Sequence, residues 1–183
     1  MHLINIKNIV FFLLIFSIVS CENDMEKVKL VTAKTKAPSE TATNIDILYS
    51  DSAKVKVKVF AKKMDHYITD DPYIEMPEGI KVEFYDDTFH VTSHLTANYA
   101  IKYEKKNIME ARGNVIVVNE KGEQLNTEYL IWEENTGKIH SPDFVKITTT
   151  DEIIYGNGFE SNQNFTKYKI FDIKGTISLN KQK

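Results

Sequence analysis

Cysteine is nearly absent from the 183-residue chain: Cys21 is the only one, so no disulfide can form within the molecule. Glycine and proline number only seven and four, which argues against long low-complexity linkers. Neither sign of charge is in clear excess, because 23 basic residues stand against 26 acidic ones. The resulting net charge of −3 argues against a nucleic-acid-binding protein.

Recognisable catalytic and metal-binding patterns are missing as well. The sequence has neither a glycine-rich phosphate loop nor a Gly-x-Ser-x-Gly nucleophile motif. His90 and His94 could share one strand face, but zinc needs three or four converging ligands and no third one is nearby. The pair Asp86–Asp87 falls at a turn signal and suits a turn or cap role. We therefore expect a binding protein and not an enzyme, with no metal and no cofactor.

The first 20 residues have the composition of an export signal. Lys7 precedes a short apolar run, and small residues lie close to Cys21. The uncharged stretch 8–21 is shorter than the roughly 20 residues of a membrane span. Ile18–Cys21 resembles the bacterial lipobox, in which the cysteine is lipidated and becomes the first mature residue. We expect residues 1–20 to be a lipoprotein-type signal peptide and Cys21 to hold the membrane anchor; an uncleaved single membrane span is the alternative.

A polar tether and one folded domain follow. Residues 21–44 are predicted to be the lipidated N-terminus and tether, because they lack sustained periodicity. From residue 45 to 180 the pattern has a period of two, as in Lys54–Phe60, where lysine and valine alternate. Turn signals separate such segments, and no stretch of the mature chain sustains helical periodicity. The pattern therefore predicts an all-β domain.

A weak internal repeat indicates how the strands are arranged. Leu95–Ile101 and Leu125–Ile131 match at an offset of 30 residues, and Tyr155 and Phe159 continue the series. Each unit then runs on to a second apolar strand. One strand pair cannot bury its apolar face alone, whereas three stacked pairs can share a core.

These features together resemble the LptC family, the membrane-anchored periplasmic component of the lipopolysaccharide export machinery. The matching segments are Ser93–Tyr99 with Ala111–Val117, Leu125–Glu128 with Pro142–Ile147, and Ile154–Phe159 with Lys174–Ile177. The resemblance implies an antiparallel β-jellyroll, a sandwich of stacked strand pairs that is open at its edges. The best-known members keep an uncleaved transmembrane helix, whereas this chain has the lipobox-like Cys21.

The same resemblance implies a function and partners. The protein would bind the acyl chains of lipopolysaccharide in an apolar groove, on the periplasmic side of the inner membrane. It would meet the inner-membrane ABC transporter complex through the N-terminal edge strand, about Ile47–Phe60. It would pass the lipid to an LptA-like bridge protein through the C-terminal edge strands, about Phe165–Leu179, by strand addition.

Alternation along the strands gives candidates for the inner faces that would line the groove. They are Val57, Val59, Val82, Phe84, Leu95, Tyr99, Ile101, Val115, Val117, Tyr129, Ile131, Val145, Ile147 and Phe159. The alternative is that these side chains simply pack against each other as a closed core, as in any sandwich.

Two further alternatives stay open at this point. Lys54, Lys56 and Lys58 could lie near lipid phosphates, or they could form a solvated face that discourages mispairing. The protein could also be an envelope lipoprotein whose β-sandwich binds carbohydrate or protein. The aromatic residues favour lipid, because they alternate within strands, whereas sugar-binding platforms usually expose aromatics on loops.

Overall fold

Residues 37–179 form twelve antiparallel strands and one short 3-10 helix in the computed structural model, which describes this part of the chain. The strands are β1 (Glu40–Asp51), β2 (Lys54–Tyr67), β3 (Tyr73–Met76), β4 (Ile80–Tyr85), β5 (Val91–Ala97), β6 (Tyr99–Tyr103), β7 (Ile108–Asn119), β8 (Gln124–Glu133), β9 (Lys138–Thr148), β10 (Glu152–Asn162), β11 (Tyr168–Ile170) and β12 (Ile173–Ser178); the 3-10 helix is Glu104–Lys106. The prediction of an all-β antiparallel fold is confirmed.

The period-two pattern of the sequence corresponds to the burial of every second side chain along a strand. In β4 the side chains of Ile80, Val82 and Phe84 are buried, while Lys81 is exposed and Glu83 half-buried between them. Successive side chains of a strand point to opposite faces of the sheet, so each apolar set collects on one side. This burial is what places the apolar faces of the strands in a common core.

The sheet divides into two layers, because the long strands β7 to β10 bend in their middle and β2 pairs with different strands at its two ends. The register shifts between Arg112 and Val115 where β7 pairs with β8, and between Asn157 and Phe159 where β10 pairs with β9. Gly113 and Gly158 lie in these shifts with φ of +73° and +84°, a region that glycine adopts without a Cβ penalty. Such bulges bend the strand that contains them.

We call the two halves of the sheet the first and the second layer. The first layer comprises residues 54–61, β4, β5, 115–119, 124–127, 145–148, 153–157 and β12. The second layer comprises 65–67, β3, β6, 108–112, 129–133, 138–141, 159–162 and β11. β1 runs along the whole of β2 and so flanks both layers.

The two layers face each other across a tightly packed core. The Phe84 ring of the first layer meets the Trp132 ring of the second edge-on, with centroids 6.1 Å apart. Val59, Val115 and Ile139 have no solvent exposure at all. Two residual cavities described inside the core have volumes of only about 20 Å³ each. The interior is therefore filled at close to ordinary protein density.

The outermost strands are β1 at one end and β11 with β12 at the other. Within residues 37–179, β1 pairs only with β2, and β11 and β12 pair only with β10. The prediction of a single first strand over Ile47–Phe60 is wrong, because a hairpin turn interrupts it. Ser52 and Ala53 both have positive φ, as a two-residue type I′ turn requires. Their residue types lack the usual Asn-Gly or Asp-Gly signal, so the sequence did not reveal the turn.

The N-terminal predictions fall mostly outside the described residues. The signal peptide over 1–20, the lipid on Cys21 and most of the tether belong to that part of the chain. β1 begins at Glu40, so the first strand includes the last five residues assigned to the tether.

Gly156 allows β11 to pack closely against β10. A Cβ at this position would lie 2.5 Å from Ile170 Cγ2 and 2.7 Å from the Phe171 carbonyl oxygen. We expect Gly156→Ala to lower the free energy of unfolding by about 1–3 kcal/mol, because the backbone of the edge segment must shift. Gly175→Ala is the matched control, since its Cβ would meet nothing within 4 Å. Urea unfolding of both variants measures this, and equal stability of the two would contradict the close approach.

Candidate functional site

A cavity of about 1040 Å³ opens between the tips of the two layers. The first layer contributes the β1–β2 and β4–β5 turns, and the second contributes the β8–β9 and β10–β11 turns. We call this cavity the mouth. Its lining residues are Tyr49, Ser50, Asp51, Lys56, Val57, Tyr85, Asp86, Asp87, Thr88, Trp132, Glu134, Asn135, Thr136, Gly137, Asn162, Gln163 and Asn164. The volume lies just above the range of about 300–1000 Å³ usual for ligand pockets.

The floor of the mouth is apolar and continuous with the core. Val57 has no exposed surface and Trp132 is 8% exposed, although both line the cavity. The Tyr49 ring meets Trp132 edge-on at 5.9 Å, and Trp132 in turn contacts Phe84. The indole Nε1 of Trp132 is buried and has no hydrogen-bond partner among the described residues. A long apolar ligand entering the mouth would therefore contact the rings of Tyr49 and Trp132 and, behind them, the ring of Phe84.

The rim is polar, and its charges are largely paired. Lys56 donates to Asp87, and Lys54 lies 3.3 Å from the other oxygen of that carboxylate. The hydrogen bond from Lys56 and the second ammonium hold the pKa of Asp87 below its usual value. Asp86 accepts hydrogen bonds from Thr88 and thereby organises the β4–β5 turn. The rim thus offers hydroxyl and amide groups together with the carboxylates of Asp51 and Asp86 to a ligand.

Lys102 joins the layers beside the mouth. Its Nζ lies 2.9 Å from Glu134 Oε1 and donates to the Tyr49 hydroxyl at 3.2 Å. Burial raises the pKa of Tyr49, with Lys102 acting in the opposite direction. Burial also acts to lower the pKa of Lys102, but the hydrogen bond to Glu134 and the contacts with Tyr49 outweigh it and raise that pKa. Lys102 therefore stays charged. From β6 it contacts Tyr49 of β1 and Glu134 of the β8–β9 turn.

Ten of the fourteen groove candidates point into the core. These are Val57, Val59, Val82, Phe84, Leu95, Val115, Val117, Val145, Ile147 and Phe159, each no more than 5% exposed. Their inward direction agrees with the alternation. Contact with lipid remains a proposal for every one of them.

The other four candidates lie on the outer face of the second layer, so their assignment to the inner face is wrong. Tyr99 and Tyr129 both pair with Arg112, and Ile101 and Ile131 both pair with Glu110. Directly opposed residues of neighbouring strands share a face, so these four side chains lie on the same face as Arg112 and Glu110, where Ile101 is nevertheless only 7% exposed. Ala100, Ala111, Leu130 and Trp132 take the inward positions instead.

The lysines of β2 lie on the outer face of the first layer. Lys54 and Lys56 pair with Asp87, and Lys58 lies 3.3 Å from Asp46. Lys58 also stands over the Phe60 ring, 4.4 Å from its centroid. These contacts favour the solvated-face interpretation over a phosphate site.

Sequence reasoning did not find Tyr49, Lys102 and Glu134 as a group. Tyr49 and Lys102 are 53 residues apart, and Lys102 and Glu134 are 32 apart. Each follows the strand pattern around it, and nothing local marks it as a partner of the others. Lys102 and Glu134 meet through the pairing of β6 and β8 with β7 in the second layer, and the meeting of the two layers adds Tyr49.

Comparison with known proteins identifies the family. No helix among residues 37–179 has the length and apolar character to cross a membrane. No curated protein gives a significant match to the chain. Residues 9–176 match the sequence model of a family described as lipopolysaccharide-assembly, LptC-related. Because this match covers most of the chain and the fold is the all-β sandwich expected of it, the protein belongs to the LptC-related family and has a role in lipopolysaccharide transport.

Proposed function

We propose that the protein holds the acyl chains of lipopolysaccharide between its two layers and passes the lipid onward along the periplasmic side of the inner membrane. The observation that supports this most strongly is the mouth, whose apolar floor continues into the core and whose rim is polar. Lipopolysaccharide likewise has an apolar part, its acyl chains, and a polar part, its sugar head. The head would stay at the rim while a chain enters below it.

The cargo makes such a slot necessary. Exposing one acyl chain of about twelve carbons to water costs on the order of 10 kcal/mol, at about 0.8 kcal/mol per methylene. Lipopolysaccharide has several such chains, so release into water between membranes would be far too slow. A protein that exchanges one apolar environment for another removes most of this cost.

Handover needs neighbouring modules, and the strand edges that no other strand of residues 37–179 covers suit them. β1 would add to the transporter complex, and β11 with β12 would add to a bridge protein of similar fold. Exposed apolar side chains lie at both ends: Leu48 on β1 is 57% exposed, and Ile173 and Ile177 on β12 are 59% and 51% exposed. Free edges normally invite aggregation, so leaving them uncovered is consistent with a partner for each. The lipid on Cys21 would keep the assembly at the membrane.

Photo-crosslinking in cells tests the lipid site with a matched pair of tyrosines. p-Benzoylphenylalanine is placed in the full-length chain at Tyr49, which lines the mouth, or at Tyr99, which lies on the outer face. We expect lipopolysaccharide to be attached at position 49 and not at 99. Equal attachment at both positions, or attachment at 99 alone, would argue against the slot.

The same method tests the edges. The crosslinker at Leu48 is expected to capture the transporter complex, and at Ile177 the bridge protein. Capture of the bridge protein from position 48 would reverse the proposed order of partners.

A further inference from the structure

The β10–β11 loop places an aromatic ring between the layers. We call residues 163–167 the plug loop. Phe165, at its centre, is only 4% exposed, although loops usually run over the surface. Its ring lies 5.8 Å from Phe84 of the first layer and 6.3 Å from Phe159 of the second. A loop residue therefore fills space that strand residues fill elsewhere in the core.

The plug loop reaches this position in a strained backbone conformation. Phe165 has a φ of +51°, a left-handed value that bulky side chains rarely adopt. Asn162 holds the loop in shape, because its Oδ1 accepts hydrogen bonds from the backbone N–H groups of Thr166 and Lys167, both at 3.0 Å. The hydrogen bond from Asn119 Nδ2 to the Phe165 carbonyl ties the loop to the first layer, and at 3.4 Å it is long.

The Phe165 ring lines a narrow slot in the core, and the residues directly before it in the loop line the mouth. Gln163 and Asn164, the two residues before it, line the mouth. Val117, Leu125 and Ile147 line the slot on the side of the first layer, together with three polar residues around the β7–β8 turn, and only about 20 Å³ beside the ring is empty. Withdrawal of the ring would leave an apolar space that opens towards the mouth, while the loop could move without breaking a strand.

We propose that the Phe165 ring occupies a site for one acyl chain of lipopolysaccharide, and that the plug loop swings outwards when the chain enters. This inference rests on the proposed function and assigns the entry point of the chain. The exchange is balanced, because roughly two to four buried methylenes offset the exposure of one phenylalanine side chain. Relief of the left-handed conformation at Phe165 favours the open loop further.

A nitrile label distinguishes displacement of the ring from binding elsewhere. 4-Cyanophenylalanine replaces Phe165 in the full-length chain in phospholipid vesicles, and lipopolysaccharide is added as the probe. The nitrile infrared band is expected to move from its apolar to its hydrated position as lipid binds. The same label at Phe159, a stacked neighbour on a strand, is the matched control and is expected to stay apolar.

Binding of lipopolysaccharide is followed separately through crosslinking from position 49. Failure of the Phe165 proposal and failure of the proposed function therefore give different results. Crosslinked lipid with an unchanged nitrile band at 165 would overturn the plug and leave the proposed function standing. If no lipopolysaccharide is crosslinked from position 49 in the protein without the nitrile label, the proposed function is overturned, and the proposal for Phe165 with it.

Removal of the ring gives a second measurement. Phe165→Ala is expected to bind lipopolysaccharide about threefold to tenfold more tightly, because the competing ring no longer has to leave. Phe159→Ala removes a ring of the slot wall and is expected to give no such gain. Unchanged or weaker binding by a folded Phe165→Ala variant would overturn the plug.

Discussion

Replacing Phe84 with alanine is expected to lower the free energy of unfolding by about 3–5 kcal/mol. Phe84 is 2% exposed and lies where the layers meet, with its ring against Trp132 on one side and Phe165 on the other. Alanine leaves a void that the layers cannot close without moving strands. Each lost aromatic contact adds about 0.5–1.5 kcal/mol to the cost of burial alone.

Urea unfolding of the full-length chain measures this loss. Trp132 is the only tryptophan, and its contact with Phe84 makes its fluorescence a direct reporter of the core. Phe144→Ala is the matched control, because Phe144 is 53% exposed and its ring stacks on Tyr155. Its loss is expected to be less than about 1 kcal/mol. Similar losses for the two variants would mean that the layers do not pack on Phe84.

Replacing Lys102 with methionine is expected to lower the free energy of unfolding by about 2–3 kcal/mol. Removing one partner of a fully buried ion pair costs about 3–5 kcal/mol, because the remaining charge stays in a poorly solvated place. The side chains of Lys102 and Glu134 are 14% and 16% exposed, so some water reaches them and the expected loss is smaller. The Tyr49 hydroxyl also loses its donor.

The double variant Lys102→Met with Glu134→Met isolates the unpaired charge. It is expected to recover most of the stability, because no charge is left without a partner. Lys138→Met is the control: Lys138 and Glu160 form an ion pair of 2.7 Å, but their side chains are 41% and 42% exposed. Such a pair contributes about 0–1 kcal/mol. If the double variant is less stable than Lys102→Met alone, the unpaired Glu134 carboxylate is not the source of the loss.

A filled interior and an open mouth together suggest how lipid would enter. The cavities described inside the core, about 20 Å³ each, are far too small for an acyl chain. Entry therefore requires side chains to move, and the plug loop is a part of the core wall that lies outside the strands and is held by a few hydrogen bonds, among them that from the Phe165 N–H to the Asn162 carbonyl. The hydrogen bond from Lys102 to Tyr49, beside the mouth, would limit how far the layers part.

Much of the fold follows from residues close together in the chain. The alternation of Ile80, Val82 and Phe84 predicts both the strand β4 and its buried face, because a strand places every second side chain on the same side. The 30-residue repeat predicts successive strand pairs, and the antiparallel pair of β8 and β9 corresponds to its second unit. The mouth, by contrast, has no continuous signal, because its rim comes from four turns far apart in sequence.

The sequence by itself determined that the chain folds as an antiparallel sandwich of the LptC type. Its period of two is local and needs no knowledge of distant residues. Only the tertiary structure decided that Tyr99 and Ile101 face outwards, that Lys102 meets Glu134, and that Phe165 lies inside. Alternation defines two faces but not which one is buried. That choice depends on charged cross-strand neighbours and on side chains of the opposite layer, which the folded chain alone brings together.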